Sequence, residues 1–198
     1  PLHVGHLRSA SIGEALKRLA IRMGNEAVGD VHLGDFGLQM GLIIGELEER
    51  GELEKDFTIG ELEEIYPLAS AKAKEKNADG SLKNEEYANR AKDITVRLQK
   101  GEEKYKKVWE KIMKVSIADL KKNYDALDVH FEIWKGESDA EPYFPRLIEI
   151  LEEKGLSYRS NGALVVDIAE PEDKKELPPC MILKSDGASL YATSDLGT

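Results

Sequence analysis

The chain has 198 residues, with 28 Lys and Arg against 38 Asp and Glu, for a formal net charge of −10. That length suits one domain, or one and a half, with a core of its own, while the acidic balance argues against nucleic-acid binding by this surface alone, because phosphate contacts need Lys and Arg. No run approaches the roughly 20 apolar residues of a membrane-spanning helix, and Cys180, the single cysteine, excludes an internal disulfide and fits a cytoplasmic setting.

The first predicted element carries the first chemistry. His3-Val4-Gly5-His6 is a His-x-Gly-His tetrad, and Leu7 to Ala20 follows with apolar residues at helical spacing before a stop at Met23-Gly24. The tetrad therefore belongs at or just before a helix N-terminus, where free N–H groups and the positive dipole end favour a phosphate. Histidine donors there can reach triphosphate oxygens and follow the charge that builds up as one phosphate is displaced. Gly5 has no Cβ, so a flat base or ribose can lie against the backbone. The same residues also read as a plain helix start with two solvated or core histidines. They do not read as a zinc site, since His32 and His130 form no ligand cluster with them and no Cys is close.

Asn25 to His32 is a short strand candidate feeding a glycine-rich turn, which gives the helix–strand–helix rhythm of a parallel α/β sheet. Asp35 to Arg50 reads as the next helix, with Leu38, Leu42, Ile43 and Leu47 on one side and Gly51 as its stop. The segment Gly34 to Gln39, with Asp35 and Gln39, is either a substrate-facing loop or an Asp N-cap between two glycines, and the two are compatible. From Glu52 the sequence turns highly charged and helical. Thr58-Ile59-Gly60-Glu61 has capping-box spacing, Pro67 should kink or divide the helical run after it, and 77–81 is a loop. Asn84 to Lys100 and Glu102 to Asp125 are two long helices. In the second, Tyr105, Val108, Trp109, Ile112, Met113, Ser116, Ile117 and Leu120 form a stripe expected to pack between helices.

Asp128 to Trp134 alternates and ends at Gly136, which predicts a strand, and Pro142 to Lys154 is a helix closed by Gly155. Leu156 to Ser160 and Ala163 to Ile168, joined by Asn161-Gly162, make a hairpin. Met181 to Lys184 and Ser189 to Thr193, around Asp186-Gly187, are expected to make a second. Tyr191 and Asp195 stand four residues apart where that strand would give way to a helix. A carboxylate opposite a guanidinium gives a charge-assisted, often bidentate pair, and a tyrosine can add a ring face or a hydroxyl. On residues alone, Asp195 as a helix cap and Tyr191 as a packed sheet residue is the favoured reading.

Three blocks in order decide among these readings. Pro1 to Ser9, His32 to Gly41, and Lys184-Ser185-Asp186-Gly187 followed by Leu190 to Leu196 together resemble the arginyl-tRNA synthetases, which are class I aminoacyl-tRNA synthetases, and Gly136-Glu137-Ser138 falls between them as a weaker echo. The resemblance runs end to end. It implies an α/β fold, a partial Rossmann-type (HUP-like) nucleotide-binding fold interrupted by a largely helical insertion. Residues 1–51 would be its first part, 52–125 the insertion, and 126–198 the return to the catalytic fold. It implies ATP-dependent activation of L-arginine and transfer to tRNA(Arg), with His3 and His6 on the phosphates, Gly5 at the nucleoside, and Tyr191 and Asp195 on the substrate side chain. Mg²⁺ would accompany ATP without a protein metal cage. Because such a fold needs a strand ahead of its phosphate-binding turn, the segment is expected to be a piece of a longer enzyme, inactive alone and weak toward tRNA. Two rivals stay open: a small-molecule nucleotidylyltransferase with the same tetrad, and a non-catalytic helical interaction module.

Overall fold

The chain folds as two compact units, residues 1–134 and 135–198. The computed structural model describes residues 4–175, 177–185 and 187–197. His3, the first histidine of the tetrad, and Pro1, Leu2 and Asp186 of the resemblance blocks lie outside the described residues.

The first unit is built around one helix. It comprises α1 (Val4–Arg22), β1 (Asp30–Leu33), α2 (Leu38–Glu49), α3 (Ile59–Lys74), α4 (Glu85–Gln99) and α5 (Glu103–Ala126). The α2 run Met40 to Leu47 is buried at every position, as expected of a helix that is apolar almost all round. Ile43, Ile44 and Leu47 of α2 pack with Leu62 and Ile65 of α3, Ile94 and Leu98 of α4, and Tyr105, Val108 and Ile112 of α5. Charged residues close the rim: Glu46 accepts from the Tyr87 hydroxyl at 2.9 Å and from Arg50 Nε at 2.9 Å, and Glu48 pairs with Arg90 at 2.7 Å and with Lys104.

Several local signals act as written in the sequence. The Thr58 hydroxyl accepts from the Glu61 amide at 3.4 Å while the Glu61 carboxylate accepts from the Thr58 amide at 2.7 Å, which closes the capping box of α3. Gly51 follows α2 at φ +70°, the left-handed conformation that favours glycine. Other expectations change. The second helix begins at Leu38, with Gly37 as its N-cap and no side-chain cap, so Asp35 sits ahead of the helix and does not cap it. Pro67 does not divide α3, which continues through it to Lys74. The alternation at 128–134 condenses into β2 (Ile133–Gly136), which pairs with β1. Asp128 stands at φ +54° directly after α5, and Val129 and Phe131 turn toward Ala10 and Tyr124, so the residues before Ile133 are used in a corner and not in a ladder.

The second unit contains α6 (Glu137–Ala140), a 3₁₀ turn at Glu141–Tyr143, α7 (Phe144–Glu153), β3 (Ser157–Ser160), β4 (Ala163–Val166), β5 (Cys180–Leu183) and α8 (Tyr191–Gly197). Its sheet is antiparallel in the order β3-β4-β5. Asn161 and Gly162, both at positive φ (49° and 84°), make the two-residue turn between β3 and β4. Leu151 of α7 packs on Leu164 and Ile182. The expected second hairpin closes early: Leu183 bridges Ser189, and Tyr191 to Thr193 are helical. The reason is Thr193, whose hydroxyl accepts from the Leu190 amide at 3.0 Å and donates to the Ile182 carbonyl. That side chain starts the helix and fastens it to β5, which ends the strand alternation.

The close approach of α2 to α4 at Gly41 predicts a sharp contrast. A methyl built at Gly41 would fall inside contact distance of the Ala91 carbonyl oxygen and the Thr95 hydroxyl, whereas one at Gly45 meets only Ile94 Cδ1 at 3.4 Å. Gly41→Ala should force α2 and α4 apart and lower stability by about 1–3 kcal/mol. Gly45→Ala should be neutral or gain up to about 1 kcal/mol of helix propensity. Urea midpoints of the two full-length variants measure the difference, and equal midpoints would mean that the approach at Gly41 is not limiting.

Candidate functional site

The N-terminal end of α1 opens onto a cavity of about 430 Å³ within the first unit. Its polar wall is His6, His32, Gly34, Asp35 and Gln39, and its apolar floor includes Met40, Ile43, Leu62, Ile112 and Leu120. His6 lies in the first turn of α1 and His32 on β1, both exposed, while Asp35 is 3% exposed. Gly5 is also on that first turn, and its carbonyl accepts from the Ser9 hydroxyl at 3.1 Å. Three sequence candidates, His6, Asp35 and Gln39, thus share one cavity. Tyr191 and Asp195 belong to the second unit.

The loop carrying Asp35 is held from the helical block, and no sequence signal singled out the residues that hold it. Trp109 donates its indole N–H to the Asp35 carbonyl at 2.8 Å, and Gln99 donates to the Phe36 carbonyl at 2.8 Å. From the first turn of α2, Gln39 donates to the Gly34 carbonyl at 2.9 Å. The general demand of a half-buried indole N–H for an acceptor could have pointed to Trp109; Gln99 carries no comparable signal. The α5 stripe also divides. Tyr105 and Val108 are core as expected, Ile112 is core and also reaches the cavity, and Met113, Ser116 and Leu120, with Tyr124 beyond them, line it.

A buried ionic network fixes α1 in this wall. Glu14 is 8% exposed; its carboxylate pairs with Lys17 at 3.0 Å and Arg18 at 2.7 Å and accepts from the His130 amide at 3.2 Å. Lys17 also donates to the His130 carbonyl and pairs with Glu132 at 3.0 Å, and Glu132 accepts from the Gly29 amide at 2.6 Å. Burial opposes the Glu14 charge, but the hydrogen bonds from Arg18, the His130 amide and Lys17 outweigh it and hold the carboxyl at about 2. Burial likewise works against the Lys17 ammonium, and Glu132 and Glu14 together keep its pKa raised. Beside the network, Ala10 and Leu7 pack on Tyr124, whose ring meets Phe131 edge-on at 5.0 Å, and Phe131 meets Trp134 at 5.9 Å.

In the second unit, α8 sets Tyr191 and Asp195 one helical turn apart on a single exposed side, Tyr191 at 71% exposure. Thr193 and Ser194 face the other way and are buried, Thr193 on β5 and Ser194 donating to the Tyr191 carbonyl at 2.9 Å. A phenol and a carboxylate at i, i+4 can grip the two ends of one planar cation. Among the described residues, no group of three or more His, Cys, Asp or Glu is arranged to hold a metal ion, and no helix is long and apolar enough to cross a membrane.

Comparison with known proteins agrees along the whole chain. The sequence model of one family, described as the catalytic domain of class I (R) tRNA synthetases, matches residues 1–198. The chain is 55% identical over 212 aligned positions to an arginine–tRNA ligase of Agathobacter rectalis, covering all of this chain and 34% of that protein. It is 46% identical to one of Alkaliphilus oremlandii, again over its full length and 35% of that protein. Among solved structures, the arginyl-tRNA synthetase of Plasmodium falciparum superposes with a TM-score of 0.75 at 25% identity, over 98% of this chain and 31% of that one. The arginyl-tRNA synthetase of Thermus thermophilus shares the fold with a TM-score of 0.65 at 21% identity, over 99% and 32%. The chain therefore spans about a third of the length of the relatives it matches.

The Glu14 network makes the position of α1 sensitive to acid. A carboxyl whose folded pKa lies near 2, below its ordinary 4.5, contributes stability that is complete above about pH 4.5 and is lost as the pH falls toward 2. Glu14→Gln should cost about 1–3 kcal/mol at pH 7, the penalty for leaving Lys17 and the His130 amide without the carboxylate. The gap between variant and parent should narrow steadily below pH 4.5. Urea unfolding of both at pH 7, 4 and 3 tests this, and a gap that stays constant with pH would remove the carboxylate from the account.

Proposed function

This chain belongs to the family of class I (R) tRNA synthetase catalytic domains, and on that premise we propose that it is part of an arginine–tRNA ligase that activates L-arginine with ATP and passes the arginyl group to tRNA(Arg). The observation that carries the reading is the cavity at the N-terminal end of α1, where His6, His32, Asp35 and Gln39 stand over an apolar floor. We read β1 with α1 and α2 as part of a Rossmann-type nucleotide-binding fold, residues 52–125 as a helical insertion in it, and 126–198 as its continuation.

In the first step the arginine carboxylate attacks the α-phosphorus of ATP. A carboxylate O–P bond forms, the bond from that phosphorus to the bridging oxygen of the β-phosphate breaks, and pyrophosphate leaves with the electron pair. Little covalent work falls to the protein, so catalysis is positioning and charge stabilisation. His3 and His6 donate to phosphate oxygens as charge moves onto the leaving group, Gly5 lets the nucleoside lie against the first turn, and the apolar floor excludes water. Asp35 in the loop and Gln39 in the first turn of α2 face the substrates. Mg²⁺, which class I tRNA synthetases generally use with ATP, would lie among the phosphates and neutralise their charge. In the second step a ribose hydroxyl of the terminal adenosine of the tRNA takes the arginyl group and AMP departs. Asp195 pairs with the substrate guanidinium, with Tyr191 shaping the same pocket. A planar fork suits that pair better than a point charge, so lysine is rejected although it carries the same charge. The setting is cytoplasmic. The 198-residue span by itself would be inactive and, at −10, a weak partner for tRNA.

Substitutions in the tetrad and at Asp195 of the full-length enzyme separate the halves of this reading. His6→Ala, or His3→Ala, should slow adenylate formation by about 10²–10³-fold, the usual loss when one transition-state donor is removed, with little change in thermal stability. Normal ATP–pyrophosphate exchange, measured with tRNA present, in the variant lacking both histidines would end the assignment.

Asp195→Asn keeps size and part of the hydrogen bonding but removes the charge. Hydrogen bonds to charged groups contribute about 1.5–3 kcal/mol, and each ~1.4 kcal/mol is a decade. The arginine KM should rise, or kcat/KM fall, by at least about tenfold while the ATP KM holds steady. Unchanged arginine kinetics would leave Asp195 a purely structural residue of α8.

A further inference from the structure

Residues 34–37 belong to neither a helix nor a strand, yet Asp35 is 3% exposed and Phe36 9%. Two consecutive main-chain carbonyls have therefore left water without a ladder or a helical turn to receive them, and bare buried carbonyls are costly. Each is met from a different helix of the charged block. Trp109 of α5 donates to the first and Gln99 of α4 to the second, both at 2.8 Å and across 74 and 63 positions of sequence. Both donors are half-buried, within reach of water, and both turn to the loop instead. The indole ring is rigid and packs against the core of the helical block, so its N–H transmits the position of α5 to Asp35. The next turn of α5 carries Ile112 and Met113, which line the same cavity as Asp35 and Gln39. One side chain thus joins the helix that forms the floor to the loop that forms part of the wall.

We propose that Trp109 is a positioning residue for adenylate formation, with Gln99 as a second tie: it holds Asp35 at a fixed distance from the α5 floor and so sets where the substrates lie in the cavity. The inference rests on the activity proposed above, which assigns this cavity to the substrates. Trp109 is not itself among the residues that line the cavity, so it acts through Asp35. The bond is separable from the stability of α5, whose core contacts come from Tyr105, Val108 and Ile112. On this account residues 52–125 are a working part of the site and not a spacer within the fold. The gain is kinetic. Reacting groups displaced by about 1 Å can lose about 10²-fold in rate, whereas a loop still tied at Phe36 keeps the cavity lining that binds the ground state. A loosened Asp35 should therefore lower kcat more than it raises either KM.

Variants of the full-length protein, assayed well below their Tm, test this. Trp109→Phe keeps a ring of similar helix propensity and removes only the N–H and the second ring. Deuterium uptake by the amides of residues 34–37 should quicken at least about tenfold in this variant, while the buried α2 amides keep their parent rates. The kcat of arginine-dependent ATP–pyrophosphate exchange, with tRNA present, should fall at least about tenfold, and the ATP and arginine KM should stay within about threefold of the parent. Because the effect passes through Asp35, it should not add to the loss in Asp35→Asn. In that background Trp109→Phe should slow the reaction by less than about threefold more. Gln99→Leu, matched in helix propensity, should lower kcat at least about threefold with the same steady KM values, and gives the reading by itself if another variant fails to fold. Unchanged deuterium uptake, an unchanged kcat, or losses that multiply in the double variant would overturn the proposal. A parent protein without arginine-dependent pyrophosphate exchange would instead remove the activity proposed above, and deuterium uptake would still decide whether Trp109 holds the loop.

Discussion

A carboxylate enclosed on helix α1 sets the terms for much of the first unit. Glu14 has left water, and an unpaired charge there would cost several kcal/mol, so the chain surrounds it with Lys17, Arg18 and the His130 amide. Those partners reach backward and forward in sequence, through Lys17 to Glu132 and through Glu132 to the Gly29 amide. One helix, the corner after α5 and the approach to β1 are thereby held in a single electrostatic unit. Apolar packing of Ala10 on Tyr124 and Val129 lies beside it, but packing alone tolerates sliding, whereas a set of directional bonds to backbone groups does not. The orientation of the turn bearing Gly5 and His6 is inherited from this arrangement.

The second dependency is the close contact of α2 with α4. Gly41 allows a backbone approach that any larger residue would prevent, and the surrounding ion pairs of Glu46 and Glu48 sit at the edge of that contact. The helical block packed on α2 carries Gln99 and Trp109, the two residues that hold the loop by its carbonyls.

Much of this was readable from residues, and the exceptions share a cause. The capping box at Thr58, the Asn161-Gly162 turn and the stop at Gly51 were legible because each depends on neighbours within a few positions. The alternation at 128–134 and the expected strand through Tyr191 were misleading because tertiary partners overrode the local pattern. Val129 and Phe131 are drawn to α1 and Tyr124, and Thr193 is claimed by Ile182. For the candidate site, the tetrad, Asp35, Gln39, Tyr191 and Asp195 are named as candidates from motif order, and of these His6, Asp35 and Gln39 line one cavity. Trp109 and Gln99 are not named, since they bind a loop more than 60 positions away and nothing near them in sequence marks that partner.

The way those two residues hold the loop has a consequence for how the site tolerates change. Both bonds end on main-chain carbonyls, of Asp35 and of Phe36, and every amino acid presents the same carbonyl. The two bonds themselves therefore do not use the side chains at 35 and 36, which are committed elsewhere: the Phe36 ring is buried in the helical core and Asp35 lines the cavity. Support of the loop, packing of the core and the chemistry shown to the cavity are thus carried by separate atoms of two adjacent residues.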